Sequence, residues 1–341
     1  MATIKDVAKK AGVSVSTVSY TLSGVRPVSE ETRKRVQQAI DELNYHPNLL
    51  ARGLINKRTR IIALLYPAPS LASFDDLPVE FILSVTSTTY DHDYGLLLIT
   101  HPVGQQEILQ IINQGLVDGV ILMEVLRHDP RADLMKANGF PFSLIGHGEN
   151  NEGISFVDMD FYTSNRIAVE HLAQLNHRHI AMIPFFVDTE NAQHNYLLET
   201  IRGFRETIQR LGLRGTMLGS EPNAECSYEV MKELLEKYPD LTAVIVSDEP
   251  VYIGVSKALQ EKGLKVPDDF SIIGGISDRS AVKYTPQITT VSIPAIEMGR
   301  LGAEFLIQRL ENPNQVPQQV ILPPKFTNRQ STGPWKERKK P

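Results

Sequence analysis

Apolar positions in the first sixty residues recur at helical spacing, whereas beyond residue 60 they gather into short unbroken runs separated by amphipathic stretches. In the first part Val7, Ala8 and Ala11 share one face. Thr3 opens that helix with Asp6 in a capping-box position, and Gly12 closes it. Ser14 caps a second helix whose Val18 and Leu22 face inward. Ser29 caps a third, with Glu30 and Glu31 in its first turn and Val36, Ala39, Ile40 and Leu43 at i, i+3, i+4 and i+7. Two short helices joined by a glycine-containing turn make a helix-turn-helix candidate. Its second helix would bring N-terminal side chains to base edges in a major groove. Val15, Ser16, Ser19 and Tyr20 are then the readers; Val15 suits a thymine methyl, and Ser16 can donate or accept. Ser14, Thr17 and Thr32 carry short hydroxyls suited to phosphate oxygens. The same pattern also suits a small helical cap whose Ser and Thr only terminate helices.

From Arg60 onward the apolar runs are 61–66, 95–99, 119–123, 142–145, 179–183, 243–246 and 271–274. Amphipathic stretches at 79–91, 104–115, 161–175, 196–211 and 228–237 lie between them. Near-continuous apolar strands alternating with helices predict parallel sheets covered on both faces. The span is large for one sheet, so it divides into two lobes, and no period suggests a solenoid. Ligands in such folds bind beyond the carboxyl ends of strands, in the crevice between lobes. That rule selects Tyr66, His101, Glu124, Gly146, His147, Phe185, Asp248 and Ile276.

Composition narrows the picture. Of 341 residues, 42% are hydrophobic and 22% charged, ordinary globular usage that excludes disorder as the main state. The single cysteine, Cys226, cannot form an internal disulfide and fits a reducing compartment. No apolar run approaches the ~20 residues of a membrane helix, and MATIKDVAKKAG lacks the apolar region of a secretory signal. A cytoplasmic protein without membrane partners is expected. Residues 1–60 carry 11 Lys or Arg against 5 Asp or Glu; the other 281 carry 24 against 35. A basic end on an acidic body suggests that only the end meets a polyanion. Catalysis finds no support: there is no nucleophile elbow, phosphate loop or dinucleotide glycine fingerprint. His177 and His179 have no third residue at zinc spacing and suit a polar turn. No catalytic residue, metal or cofactor is therefore expected.

The run TIKDVAKKAGVSVSTVSYTLSGVRPVSEETRKRVQQAIDELNYHPNLLARGL resembles the LacI/GalR family of bacterial transcription regulators, carrying its D-V-A-x-x-A-G-V-S-x-x-T-V-S, V-S-x-x-T-R and L-N-Y-x-P-N signatures in register. The resemblance implies that residues 4–23 read DNA and that Ile4, Lys5, Ser23, Val28, Ser29 and Tyr45 contact its backbone. Tyr20 stands where the family often has an arginine. The short segment 48–56 is weak as an isolated helix; in the family it is a hinge that folds when two copies meet on DNA. Leu54 takes the position whose side chain wedges into the minor groove, with Asn48, Ala51 and Arg52 beside it. The body resembles the family's periplasmic-binding-protein-like core through LVDGVIL, VDMD…AVEHLAQLNHRHIAMI, PQITTVSIP…MGRLGAEFLIQRL and RQST. The implied fold is an N-terminal all-α helix-turn-helix head plus an α/β core of two doubly wound parallel-sheet lobes. Its parts are a head at 1–46, a hinge at 47–59, a core at 60–333 and a basic tail at 334–341. The N-lobe spans about 60–158 and 292–320, and the C-lobe about 159–290 and 321–333.

The sequence departs from the family in the cleft. Thr200 stands where the effector-binding arginine is usual, with Arg202 on another face. Asp248-Glu249 replaces an Asn-Asp pair, Ile276 replaces an aspartate, and Gly146 ends its strand. Losing planar Arg and carboxylate partners points to a different pose or ligand class, and Asp248 and Glu249 suit either an amine or sugar hydroxyls. The longer segment 67–80 brings Phe74 or Asp75 toward the cleft. The expected function is that of a sequence-specific regulator, foremost a repressor. As a homodimer it would bind a near-palindromic double-stranded operator, tuned by a small-molecule effector such as a sugar, nucleoside or related metabolite. A co-repressor-dependent regulator or an activator of the same fold is the alternative. The resemblance implies that helix faces near 79–91 and 251–262 form the dimer, and no heptad repeat follows the body to build a tetramer.

Overall fold

The computed structural model describes residues 2–23, 26–45, 58–67, 76–184 and 193–336. The chain enters helix α1 (Ile4–Ala11) through Asp6, whose carboxylate accepts from the Thr3 backbone N–H at 2.8 Å and from its hydroxyl at 2.7 Å. Gly12 ends the helix at φ 66°, the left-handed region that costs glycine least. Helices α2 (Val15–Ser23) and α3 (Glu30–Glu42) follow. Val7, Ala8, Ala11, Val18, Val36 and Ala39 form the buried centre of this head, with Leu22, Ile40 and Leu43 packed around it. Lys10 reaches Glu42 at 2.7 Å; both are too exposed for the pair to contribute much.

The body is built on two six-stranded sheets. The first holds β1 (Ile61–Leu65), β2 (Gly95–Ile99), β3 (Gly119–Leu122), β4 (Phe142–Ile145), β5 (Phe156–Met159) and β11 (Gln319–Leu322). Its order is β11-β5-β4-β3-β1-β2, parallel throughout. The second holds β6 (His179–Ile183), β7 (Arg214–Met217), β8 (Ala243–Val246), β9 (Ser271–Gly274), β10 (Thr289–Ser292) and β12 (Lys325–Thr327). Its order is β12-β10-β9-β8-β6-β7, parallel except where β12 runs against β10.

Helices α4 (Asp76–Asp91), α5 (Gln105–Gln114), α6 (Pro130–Ala137) and α12 (Ala295–Glu311) cover the first sheet. Helices α7 (Phe161–Gln174), α8 (Asn195–Arg210), α9 (Ala224–Lys237) and α10 (Glu249–Glu261), with the short α11 (Asp278–Ala281), belong to the second. The central strands of each sheet are buried on both faces. Along β1, Ile62 and Leu64 pack with α4 and α12, while Ala63 and Leu65 pack on the α5 and α6 side. That explains the unbroken apolar runs in the sequence.

Five strands carry no such run. β7, β11 and β12 are edge strands with partly exposed faces. β5 buries Asp158 and β10 buries Thr289, Thr290 and Ser292. The chain passes between lobes after β5, after β10 and after β11. Met159 and Leu322 stay with the first sheet and Ser292 with the second, each a residue or two past the boundary expected from sequence, because the ladder pairing continues to those residues. The expected polar turn at His177 and His179 is a buried junction instead. His177 meets Thr242 Oγ1 at 2.9 Å and Ser271 Oγ at 3.0 Å, and His179 Nε2 meets Thr216 Oγ1 at 2.9 Å.

Candidate functional site

In the head, Ser14 is the cap of α2: its hydroxyl accepts from the Thr17 N–H at 3.0 Å and bonds the hydroxyls of Ser16 (2.7 Å) and Thr17 (2.8 Å). This cap leaves the first turn of α2 facing outward. Val15 is 41% exposed and Ser16 is exposed, while Ser19 and Tyr20 are half-buried. The Arg26 guanidinium lies 5.1 Å from the centre of the Tyr20 ring, a cation beside the reading helix that the sequence pattern did not single out. Ser29 accepts from the Thr32 N–H at 3.3 Å, and the two hydroxyls are 2.8 Å apart at the start of α3. Lys5 is exposed and Val28 is half-buried, whereas Ile4 and Tyr45 pack partly against the head core. Asn48, Ala51, Arg52 and Leu54 lie outside the described residues, as do Phe74, Asp75 and Phe185.

The second site is a cavity of about 250 Å³ between the two lobes. Tyr66, Glu124 and Gly146-His147 follow the ends of β1, β3 and β4, and Ser247-Asp248 follows β8, so the parallel strands of both sheets deliver their carboxyl ends to it. Thr200 lines it from α8, together with Tyr196, and Asp158, Phe161 and Asn165 complete the wall from β5 and α7. Much of the rest is apolar, including Phe81, Met123, Met182 and Ile245.

The electrostatics of this cavity are acidic. Burial between the lobes pushes the Glu124 carboxyl above its ordinary range, against a 3.2 Å hydrogen bond donated by the Tyr196 hydroxyl. Burial and then the Glu124 charge raise that phenol well above its usual value. Asp248 is raised by burial as well, although it caps α10 by accepting from the Val251 N–H at 2.9 Å and from the Ser247 hydroxyl at 2.9 Å. Asp158 accepts from the Met159 N–H at 2.8 Å and meets His147 Nδ1 at 2.6 Å, and the His147 ring stacks on Phe156. Arg131 donates to the Glu124 backbone carbonyl at 2.8 Å, but its guanidinium is claimed by Asp129 through bonds of 3.0 and 2.7 Å. His194 sits 3.7 Å from Glu124, and burial lowers its pKa.

Contacts on two sides of the cavity tie the lobes together. Asp76 at the start of α4 pairs with Lys283 and accepts from the Ser280 hydroxyl at 3.0 Å. Opposite, the Arg127 N–H donates to the Gln193 carbonyl at 2.6 Å, beside the Tyr196–Glu124 bond.

Two strand-end expectations are corrected. Ile276 is 2% exposed and packs with Ala281 and Ile288 in the second lobe, because the chain after β9 turns back into the core. His101 is exposed and does not line the cavity, because β2 is the edge strand of its sheet. Glu249 also turns aside, accepting from the Ser280 and Tyr284 hydroxyls at 2.6 and 2.5 Å. Arg202 pairs with Glu199 at 2.6 Å and lies over the Tyr162 ring instead of lining the cavity. Tyr196, Asp158 and Asn165 line the site without having been marked in the sequence; Asp158 lies on β5, a strand with no apolar run, and Tyr196 and Asn165 meet it only through the approach of the lobes.

Known proteins resemble this chain over its whole length. Residues 3–48 match the bacterial regulatory proteins of the lacI family, and residues 169–332 match a periplasmic binding protein-like domain. The HTH-type transcriptional repressor PurR of Glaesserella parasuis serovar 5 (strain SH0165) is 30% identical over 329 residues, 95% of this chain and 94% of its own. PurR of Escherichia coli O139:H28 (strain E24377A / ETEC) is 31% identical over 345 residues, 99% of each chain. Among solved structures, a complex of the transcriptional regulator CelR with cellobiose has a TM-score of 0.72 and 26% identity, covering 97% of this chain and 100% of its own. The lac repressor dimer bound to operator and the anti-inducer ONPF shares the fold, with a TM-score of 0.83 at 22% identity over 97% of this chain and 99% of its own.

Proposed function

Because the chain belongs to the lacI family of bacterial regulatory proteins, we propose that it represses transcription from a near-palindromic operator as a homodimer, with DNA affinity set by a small molecule between the lobes. The observation that carries this reading is the pairing of a head whose α2 offers Val15 and Ser16 outward with a body that encloses a cavity at its strand ends. Residues 1–46 are the DNA-binding unit, 47–59 the hinge, 60–333 the effector-binding and dimerisation core, and 334–341 a tail. Val15, Ser16, Ser19 and Tyr20 read bases. Ile4, Lys5, Ser14, Thr17, Ser23, Val28, Ser29, Thr32 and Tyr45 hold the phosphates. Asn48, Ala51 and Leu54 enter the minor groove. Tyr66, Gly146, His147, Thr200 and Asp248 contact the effector, together with Phe74 and Phe185. CelR binds cellobiose, and a sugar-sized effector suits the volume here.

Leu83 (57%) and Tyr90 (78%) on α4, Ile296 (63%) on α12 and Ile253 on α10 are exposed. These apolar side chains support dimerisation along both lobes. Differential binding of the effector to two lobe arrangements couples it reciprocally to DNA, typically by ~1–3 kcal/mol. The protein is a regulator and not an enzyme, and it works in the cytoplasm. The test is selection of bound fragments from the source genome by the purified protein at one stated salt concentration. Recovery of a short near-palindrome supports the reading. Recovery of unrelated fragments, with and without cell extract, refutes it.

A further inference from the structure

The lining of the inter-lobe cavity has a charge imbalance that the family's usual effector chemistry does not explain. Three carboxyl side chains face it, Glu124, Asp158 and Asp248, and among the described lining residues there is neither Lys nor Arg. The single histidine, His147, is bonded to Asp158. The nearby Arg131 is bound by Asp129, and burial lowers the His194 pKa. Carboxyl groups taken out of water are costly unless an opposite charge meets them. Among the described lining residues no Lys or Arg side chain meets Glu124 or Asp248.

Four aromatic rings, Tyr66, Phe81, Phe161 and Tyr196, line the same cavity, with Phe161 and Tyr196 5.6 Å apart between ring centres. Rings and carboxylates together, without a basic side chain, are the chemistry that holds an organic ammonium group. Among the described residues no three acidic, His or Cys side chains converge closely enough to hold a metal ion.

We infer that the effector is a small organic cation, a metabolite bearing a protonated amine that Glu124, Asp158 and Asp248 neutralise while the aromatic rings cover its body. This rests on the cavity being the effector site. Thr200, standing where the resemblance expects an arginine, completes the logic: a guanidinium there would repel an ammonium ligand, and a hydroxyl does not. An anionic metabolite meets three carboxyls and, among the described lining residues, no Lys or Arg, so the same cavity disfavours it.

The experiment is calorimetric titration of the full-length protein with matched triads that differ only in one group: glucosamine, glucose and glucuronate; tyramine, tyrosol and 4-hydroxyphenylacetate. In the triad that binds, the amine is expected to bind about 10-fold tighter than its neutral analogue, and the carboxylate not at all. Glu124→Gln is expected to erase the preference for the amine while keeping neutral binding, because the amide still accepts from Tyr196. Asp248→Asn, which still caps α10, serves as the second variant, with thermal melting to show that both remain folded. A neutral or anionic analogue binding as tightly as its amine overturns the inference. So does an amine preference that survives both variants, or a titration in which no amine binds. Operator selection is run on the same sample. If the neutral sugar binds and shifts operator affinity, the cation assignment fails alone. If operator DNA is not selected, the regulator reading fails, and the titration still decides the ligand class.

Discussion

Val15 and Val18 stand one turn apart on α2, and the same substitution at each separates folding from reading. Val18 is fully buried at the centre of the head; Val15 is 41% exposed. Replacing Val18 by Ser removes burial of about 1.5–3 kcal/mol. The new hydroxyl can bond back to the Ser14 carbonyl, so its own penalty stays at the low end of about 1–3 kcal/mol. The sum is about 2–4 kcal/mol. The head core rests on six small side chains, three of them alanines. At ~0.05–0.15 kcal/mol per residue, a unit of this size has only a few kcal/mol in total. Val18→Ser therefore unfolds the head at 25 °C and abolishes operator binding, while the melting of the body is unchanged. Val15→Ser shifts stability by no more than about 0.5 kcal/mol, and its operator affinity falls while affinity for a scrambled duplex stays level. Fluorescence anisotropy with both duplexes at one salt concentration, together with amide exchange over residues 2–45, measures both effects. Retention of operator affinity by Val18→Ser refutes the packing argument. An equal loss on both duplexes by Val15→Ser makes that residue a backbone contact.

Three further outcomes follow from the geometry. Tyr20→Ala removes the ring under Arg26 and is expected to change base preference in a selection experiment; an unchanged consensus would show that the ring reads nothing. Burial holds the His177 pKa at about 4 against an ordinary 6.5. The unfolded chain takes up that proton first, so the stabilisation is present above pH 6.5 and is lost as pH falls toward 4, by up to about 3 kcal/mol. Urea midpoints at pH 7, 5.5 and 4.5 should fall less steeply for His177→Gln than for the parent, and parallel curves would rule out this source. Asp76→Ala removes the partner of Lys283 and Ser280 across the lobes. Because Lys283 is half exposed the pair is worth under about 1 kcal/mol, so a small rise in radius of gyration by X-ray scattering is expected; identical curves would show that this pair does not set the lobe spacing.

The parts of the fold that local chemistry writes were legible. Caps at Thr3, Ser14 and Ser29 bound the head helices, and strands with two buried faces appear as apolar runs. β7, β11 and β12 are edge strands that bury less of themselves and carry no such mark, although the edge strand β2 is apolar while largely exposed, and β10 carries hydroxyls that the tertiary structure satisfies: Thr290 donates to Asp278 at 2.9 Å. The cavity was half legible for the same reason. Strand-end residues such as Glu124 and Asp248 follow from the parallel topology alone. Tyr196 enters through the approach of two lobes distant in sequence, which no local pattern records, and Ile276 turned inward where its neighbours faced the cleft.

The three passages between lobes also govern how the chain is made. Synthesis delivers β1 to β5 first, yet α12 and β11, which close that lobe, come only after ten strands have left the ribosome. Until residues 303–310 emerge, Ile121, Ile145 and Val157 lack the cover that Ala303, Leu306 and Leu310 provide. The nascent first lobe therefore carries an open apolar face, prone to aggregation, throughout synthesis of the second. A chain truncated before residue 303 lacks the side chains that close the first lobe's core.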